Sequence, residues 1–350
     1  MVSRYKFIFV IAISVVTVAV GTLLLLSYPL NNDVFQLSKT GITVIAVGDS
    51  IGYKIDSENL SHLANMISDT DIFIFNLEGA LFESDEDAIV CEKFPRQSLL
   101  TANSAFVEYL KLAPITIANM ANNHVLDCGS EGIERTKRIL TEYDILSVGA
   151  GQALDEACEP LLIKFKDWHI ALLSYNFVIA DRFSAAAHKA GAASLDSCQH
   201  DIGKLRSQGV DLIVASMHEG IWSDEVLPGQ VQLVTRLFES GVDIVIGHSP
   251  HMPQAIMAKD GKIAFFSLGN FIFRPDYQMP SLAHTTIVPR IDFHADRIDV
   301  TIYPVRIDND GIPHRENNKD IIARISEASK EFNTVIHISD NLGHISISRR

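Results

Sequence analysis

Basic side chains are in short supply in this chain. Lysine and arginine number 29 against 43 aspartate and glutamate, which leaves a net charge of -14 and a pI near 5.3. Such a surface repels phosphate backbones, so nucleic acid is excluded as a partner. Cysteine is scarce too: Cys91, Cys128, Cys158 and Cys198 make up the whole set. Their spacings match no zinc-binding pattern. An even count permits two disulfides in an exported protein and equally permits buried thiols. No long repeat or low-complexity tract is present. With 47% apolar and 21% charged residues, disordered and collagen-like classes are excluded. A chain of 350 residues can bury a sizeable core in one large domain or two smaller ones.

Charge is missing altogether between Phe7 and Leu26. At ~1.5 Å per residue, a helix over residues 7–26 spans the ~30 Å hydrocarbon core of a bilayer. Arg4 and Lys6 precede it, and no basic residue follows until Lys39. The positive-inside rule then holds the N-terminus in the cytoplasm and exports the rest. Leu26-Ser27-Tyr28-Pro29 offers no small-x-small cleavage site, so the segment reads as an uncleaved anchor rather than a signal peptide. The expectation is a single-pass protein of the cell membrane. Residues 1–6 form a cytoplasmic tip, 7–26 the transmembrane anchor, 27–41 a polar linker, and the main domain is extracytoplasmic.

Beyond the linker the sequence becomes rhythmic. Short apolar runs at Thr43–Val47, Ile72–Phe75, Ile115–Ala118, Ile170–Leu173, Leu212–Ala215, Ile244–Ile246 and Ile263–Phe266 each stop at glycine or polar residues. Runs of this length read as buried strands. Between them, Ser61–Ile67, Ser104–Leu112, Glu131–Tyr143, Asp201–Ser207 and Gln230–Glu239 carry apolar residues at helical spacing. Gly209-Val210-Asp211 and Gly241-Val242-Asp243 open two nearly repeated strand units, each followed by histidine. The fold class is therefore layered α/β. Beyond about residue 280 the pattern changes to an antiparallel pair, Thr285–Phe293 and Arg297–Arg306, then a helix over Lys319–Phe332. This predicts a peripheral, β-rich C-terminal extension.

Polar residues gather just past the predicted strand ends, where open α/β sheets bind ligands. They are Asp49, Glu78, Asn123, His124, His218, His248 and His251. Taken singly, each has an ordinary structural explanation. Gly48-Asp49 is a common turn or cap, and a lone His218 is more often a satisfied structural histidine. Gly247-His248-Ser249-Pro250-His251 is the most specific piece, because two histidines on a Gly/Pro loop have little structural purpose. The shared address makes one mixed nitrogen and oxygen site, suited to Mn, Fe, Zn or Co.

The motifs Gly48-Asp49, Asn76-Leu77-Glu78-Gly79, Ala121-Asn122-Asn123-His124-Val125-Leu126-Asp127-x-Gly129, His218-x-Gly220, Gly247-His248-x-Pro250-His251 and Ser267-Leu268-Gly269-Asn270-Phe271-Ile272-Phe273 stand in one order. Together they resemble those of the CapA family, capsule and poly-γ-glutamate synthesis proteins with a calcineurin-like metallophosphoesterase fold. The resemblance covers about residues 42–310, leaving 311–350 as the extension. It implies one or two divalent metal ions. Asp49 and His251 would serve the first, Asn123, His218 and His248 the second, with Glu78 between them. His124 would donate a proton to a leaving group, oriented by Asp127, and Asn270 would support the loops.

Two departures stand out. Ile51 occupies the place where metallophosphoesterases carry a histidine, so the first site is short of a ligand. His218-Glu219-Gly220-Ile221-Trp222-Ser223 replaces the family's His-Trp-Gly-x-Glu-Tyr. The resemblance implies a metal-dependent hydrolase for a phosphoester or a γ-glutamyl amide, working beside the subunits of a capsule or poly-γ-glutamate synthesis complex. The acidic surface disfavours holding a long anionic polymer unless Lys93, Arg96, Arg182 and Arg274 form a local basic track; the other reading of these four is ordinary solvated charge. The rival expectation is a non-catalytic export or scaffold subunit with a structural metal; a small-ligand binder ranks third.

Overall fold

Strands that are apolar on both faces need cover on both faces, and this chain supplies it with two sheets and flanking helices. The computed structural model describes residues 40–52, 64–83, 99–178, 180–198, 202–274, 279–317 and 319–349. These residues belong to one compact unit, Lys39–Arg350. The expected anchor at 7–26 lies outside the described residues, as do Cys91, Lys93 and Arg96. Among the described residues no helix is long and apolar enough to cross a membrane.

In the first sheet, β1 (Ile42–Ser50), β2 (Ile72–Leu77) and β3 (Ile115–Asn119) are parallel neighbours. In the second, β4 (Trp168–Asn176), β5 (Leu212–His218) and β6 (Ile244–His248) are parallel neighbours. β7 (Thr285–Phe293) and β8 (Arg297–Ile307) form an antiparallel pair. The longer helices are α1 (Gly129–Glu142), α2 (Pro228–Glu239) and α3 (Asp320–Ser329).

Because successive side chains point to opposite faces, each strand feeds two apolar layers. Val44 and Ala46 of β1, Ile72 and Ile74 of β2 and Ile117 of β3 pack on Ile170, Leu172, Leu212, Val214, Ile244 and Ile246. That layer lies between the sheets. On the outer face of the first sheet, Ile45, Val47, Phe73 and Phe75 share a cluster with Ile133, Ile139 and Leu140 of α1. Outside the second sheet, Leu173, Ile213, Ala215 and Val245 share one with Val234, Leu237 and Phe238 of α2. The architecture is helix, sheet, sheet, helix. Each buried Leu, Ile or Phe contributes about 1.5–3 kcal/mol relative to exposure.

The two Gly-Val-Asp repeats do the same local job. Asp211 accepts a hydrogen bond from the His169 N–H of β4, and Asp243 accepts one from the Ile213 N–H of β5. Each aspartate thus ties the start of its own strand to its neighbour.

The C-terminal part is not peripheral. β7 pairs antiparallel with β1, Ile42 facing Phe293, and the strand Leu342–Ser348 pairs with β8. Ile321, Ile322 and Ile325 of α3 join the layer between the sheets. The reason is physical: β1 is buried on both faces and needs a partner on each edge.

Arg349 closes this assembly. Its guanidinium donates to the His294 carbonyl at 3.0 Å and to Asp243 Oδ1 at 3.2 Å, and stacks 4.0 Å from the Phe293 ring centroid. One side chain thereby joins the end of β7 to the start of β6. Asp243 is buried and is also paired with Arg206. Arg349→Ala should cost about 2–4 kcal/mol, since it leaves a buried carboxylate short of a partner. Urea unfolding of the variant would measure it; a change below about 0.5 kcal/mol would show the clasp to be ornamental.

Candidate metal centre

The site is built from two rows of strand-end residues. In the first sheet Asp49, Asn76 and Asn119 stand in register; in the second, Asn176, His218 and His248 do. Both rows end at the same side of the molecule. Gly48 is required there, since a Cβ would meet the Gly269 carbonyl oxygen at 1.8 Å. Gly247 is packed the same way, 1.9 Å from the Phe266 carbonyl oxygen. The two close approaches bring the loop of residues 267–270 between the sheets. Ser249 and His251 hold left-handed backbone, φ 96° and 57°. For non-glycine residues such strain costs about 1–3 kcal/mol and gathers at functional sites.

Asp49, Glu78 and His251 are the tightest group. Each is buried, and one ligand atom from each lies within 4.8 Å of the other two. His251 Nδ1 is 3.2 Å from Asp49 Oδ2, 3.7 Å from Glu78 Oε2 and 2.9 Å from Asn270 Oδ1. His248 Nδ1 lies 3.4 Å from Asp49 Oδ1, and His218 Nε2 lies 3.7 Å from Glu78 Oε1. Asn123 sits one step further out, its Oδ1 2.8 Å from His218 Nε2. His124 Nδ1 pairs with Asp127 Oδ2 at 2.8 Å. The same carboxylate oxygen accepts the Leu100 N–H at 2.6 Å.

Two residues that sequence reasoning did not single out hold the pieces in place. Asn76 Nδ2 donates to Asp49 Oδ1 at 2.7 Å. Asn122 Nδ2 donates to Asn76 Oδ1 at 3.2 Å, and Asn122 Oδ1 accepts the His124 N–H at 3.0 Å. This amide relay couples the Asp49 end of the site to the His124 end. The signal for Asn76 was its place, since it ends β2 at the level where Asp49 ends β1.

The departures also have locations. Ile51 is buried in the apolar cluster behind the first sheet, so no nitrogen reaches the site from that position. Glu219 turns toward Gly229 in the first turn of α2, where a Cβ would lie 3.8 Å from its Oε1. Trp222 stacks on His251 with ring centroids 4.3 Å apart. Arg182 is exposed beside Phe183, and Arg274 donates to the Leu99 carbonyl.

Electrostatics sort the groups. Burial works to raise the Asp49 carboxyl, but contacts with His248 and His251 outweigh it and hold it well below the usual carboxylate range. Glu78 is pushed well up, first by burial and then by the like charge of Asp49. His218 is driven down to about 3 by burial, so its imidazole is neutral. Burial would lower His251 too, yet Glu78 and Asp49 lift it to about 9.

The donor set fits a divalent cation. Among the described residues, neither oxygen of Glu78 nor the Nε2 of His248 has a hydrogen-bond partner, and all three atoms are buried. A buried carboxylate left in this condition is costly, and a bound cation is the usual remedy. Oxygen and imidazole donors together match the borderline first-row metals.

Residues 37–275 match the family model described as "Bacterial capsule synthesis protein PGA_cap". The chain belongs to this family. Its curated relatives include "Capsule biosynthesis protein CapA" of Bacillus anthracis, 27% identical over 218 residues, covering 61% of this chain and 53% of that one. They also include "PGA biosynthesis protein CapA" of Bacillus subtilis (strain 168), 30% identical over 177 residues, covering 50% and 47%. The chain thus spans about half the length of the curated CapA relatives it matches. Among solved structures, the NAD nucleotidase of Haemophilus influenzae overlaps 80% of this chain and 49% of its own, at 12% identity and a TM-score of 0.40. So loose an overlap adds nothing to the architecture described above.

Proposed function

We propose that this CapA-family chain is a metal-dependent hydrolase acting on an anionic substrate, a phosphoester or a γ-glutamyl amide, during capsule or poly-γ-glutamate synthesis. The observation that carries this reading is Glu78, a buried carboxylate with neither oxygen hydrogen-bonded among the described residues, beside Asp49 and His251. Asp49, Glu78 and His251 would hold one divalent ion, with His248 and His218 within reach of the same carboxylates and Asn123 behind His218. A divalent ion there supplies Lewis-acid chemistry, polarising a phosphoryl or acyl oxygen.

The chain's own residues do the rest. Asp127 accepts from His124 Nδ1, which leaves Nε2 as the atom through which the doubly protonated ring would pass a proton to the leaving group. The Leu100 N–H steadies the same carboxylate. Asn76 and Asn122 keep that acid in fixed relation to Asp49. Buried on all sides, these groups act in a low dielectric, where their fields are strongest.

The reading also places the domain outside the cytoplasm, tethered by residues 7–26. The disulfide between Cys158 and Cys198 supports this, and Cys128 is disulfide-bonded as well. Such bonds persist in oxidising compartments. A second reading keeps the metal but drops the chemistry: a scaffold or export subunit of a synthesis complex. Two observations favour it, namely Ile51 in the core and Asn123 already engaged with His218.

Purified protein should carry Mn, Fe, Zn or Co by elemental analysis. It should hydrolyse p-nitrophenyl phosphoesters or γ-glutamyl amides, with His248→Ala losing at least about 100-fold in turnover, as for other residues that set a catalytic metal. Bound metal with no turnover on either substrate class selects the scaffold. A protein that binds none of these ions sinks both readings.

A further inference from the structure

His251 Nδ1 faces three acceptors at once, Asn270 Oδ1 at 2.9 Å, Asp49 Oδ2 at 3.2 Å and Glu78 Oε2 at 3.7 Å. Which of them it serves depends on the plane of the imidazole. That plane is set by rings. Trp222 lies against one side with a centroid distance of 4.3 Å and a tilt of 35°, and Phe273 meets the ring edge-on at 5.4 Å. Phe273 is buried, and it follows directly on the site's own strand Asn270–Ile272. Trp222 comes from elsewhere, from the loop of residues 219–227 between β5 and α2.

That loop is built to stay put. Gln254, fully buried, donates to the Ser223 carbonyl at 3.1 Å and the Glu225 carbonyl at 2.7 Å. Gln230, also buried, accepts the Leu227 N–H at 2.9 Å and donates to Gln254 Oε1 at 2.9 Å. Ser249 Oγ donates to the Gly220 carbonyl at 3.1 Å, and Arg324 of α3 pairs with Asp224 at 3.1 Å. Polar groups inside a protein are spent this way where a backbone path must be held. Yet the loop displays apolar residues outward: Ile221 is 64% exposed and Trp222 is 36% exposed. A pinned loop that keeps a large aromatic partly in water forgoes part of its burial energy. The stack on His251 is what the arrangement obtains in return.

We propose that Trp222 is the positioning residue for His251, and through it sets the affinity of the Asp49–Glu78–His251 cluster for a divalent cation. The proposal rests on the metal reading above. Aromatic stacking fixes the imidazole plane, while Asn270 fixes its tilt. With the indole removed, the imidazole can rotate off the carboxylates and spend its nitrogen on Asn270 alone. Groups that orient a metal ligand typically change affinity 10–100-fold when removed.

Titration calorimetry with Co²⁺ on the full-length, tag-free chain tests this. Trp222→Ala should weaken Co²⁺ binding by about tenfold or more, and Trp222→Phe should stay within about threefold of the unaltered chain because it keeps a stacking face. Ile221→Ala, on the same loop outside the stack, should leave affinity unchanged. The metal-free melting temperature of Trp222→Ala should remain within a few degrees, which separates positioning from loss of fold. Should that variant fail to fold, Trp222→Leu replaces it with the same expectation. Fluorescence gives an independent reading, since the chain has only 2 tryptophans and Trp168 is buried between the sheets. Co²⁺ should quench the emission of Trp222, and Trp222→Phe should abolish the quenching. Equal Co²⁺ affinity in Trp222→Ala and the unaltered chain overturns this inference alone, as does a Trp222→Phe variant as weak as Trp222→Ala. Absence of Co²⁺ binding by the unaltered chain overturns the metal reading and this inference with it.

Discussion

Glu78→Gln is expected to stabilise the metal-free protein while all but abolishing its capacity to bind a divalent ion. The two effects share one cause. Glu78 is buried with neither oxygen hydrogen-bonded among the described residues, and burial with the Asp49 charge pushes its carboxyl well up. An acid raised on folding weakens the fold as pH climbs from its unfolded value toward its folded one. The amide is neutral, so the gain from Glu78→Gln should be near zero below about pH 4.5, where both states are protonated, and should grow above it. At pH 8 we expect about 1–3 kcal/mol, the usual cost of a buried group without partners. In the presence of metal the order reverses. The unaltered chain should gain stability with ion concentration, by about 2.7 kcal/mol at one hundred times Kd, while Glu78→Gln gains almost none. Thermal melts in chelator and in Mn²⁺, at pH 5 and pH 8, provide all four readings. Destabilisation of the metal-free protein by Glu78→Gln would mean that the carboxylate is satisfied in some other way, and the cation argument would fail.

Replacing Cys158 and Cys198 together by serine should cost about 2–4 kcal/mol. The bridge spans a sequence separation of 40. Closing a loop of that length restricts the unfolded chain by about 4 kcal/mol at 25 °C, and measured values usually fall somewhat below that. Both sulfurs are buried in the cluster that carries α2, so the serines also bring hydroxyls into an apolar layer. Guanidinium unfolding of the double variant, beside the unaltered chain with and without reductant, measures the bond. Reduction that leaves the midpoint unchanged would remove the disulfide as support for an exported domain.

Much of this was legible in the order of residues, and the reasons differ by element. β1, β2, β5 and β6 are covered on both faces, so each carries a run of mostly apolar residues that stands out from its surroundings. Asp49, Glu78, His218 and His248 were noticeable because each lies just past such a run. Assignment of strands to two sheets was not legible, because a strand's sequence states that it is buried but not by what. The place of β7 was misjudged for the same reason. Its pairing with β1 joins Ile42 to Phe293, and nothing local in either segment refers to the other. Asn76 and Asn122 stood in the sequence only as members of longer motifs, with no role of their own; only the three-dimensional relay shows them facing Asp49 and His124. The stack of Trp222 on His251 unites residues from separate loops, and a departure from a motif could announce it only as an oddity.

The pairing of β1 with β7 bears on how the chain is made. β1 is synthesised early, but the second partner of its Ile42–Ile45 half is added about 250 residues later, and contacts so distant in sequence slow folding. Until then an apolar strand holds one edge open, the condition in which chains adhere to one another. The family-matched stretch ends at residue 275, ahead of β7. A fragment of residues 40–275 would contain Asp49, Glu78 and His251, and the Asn270–Ile272 strand beside Asp49, yet lack the strand that pairs with Ile42–Ile45. It should be recovered from expression as aggregate, whereas residues 40–350, which restore that strand and Arg349, should be recovered in solution.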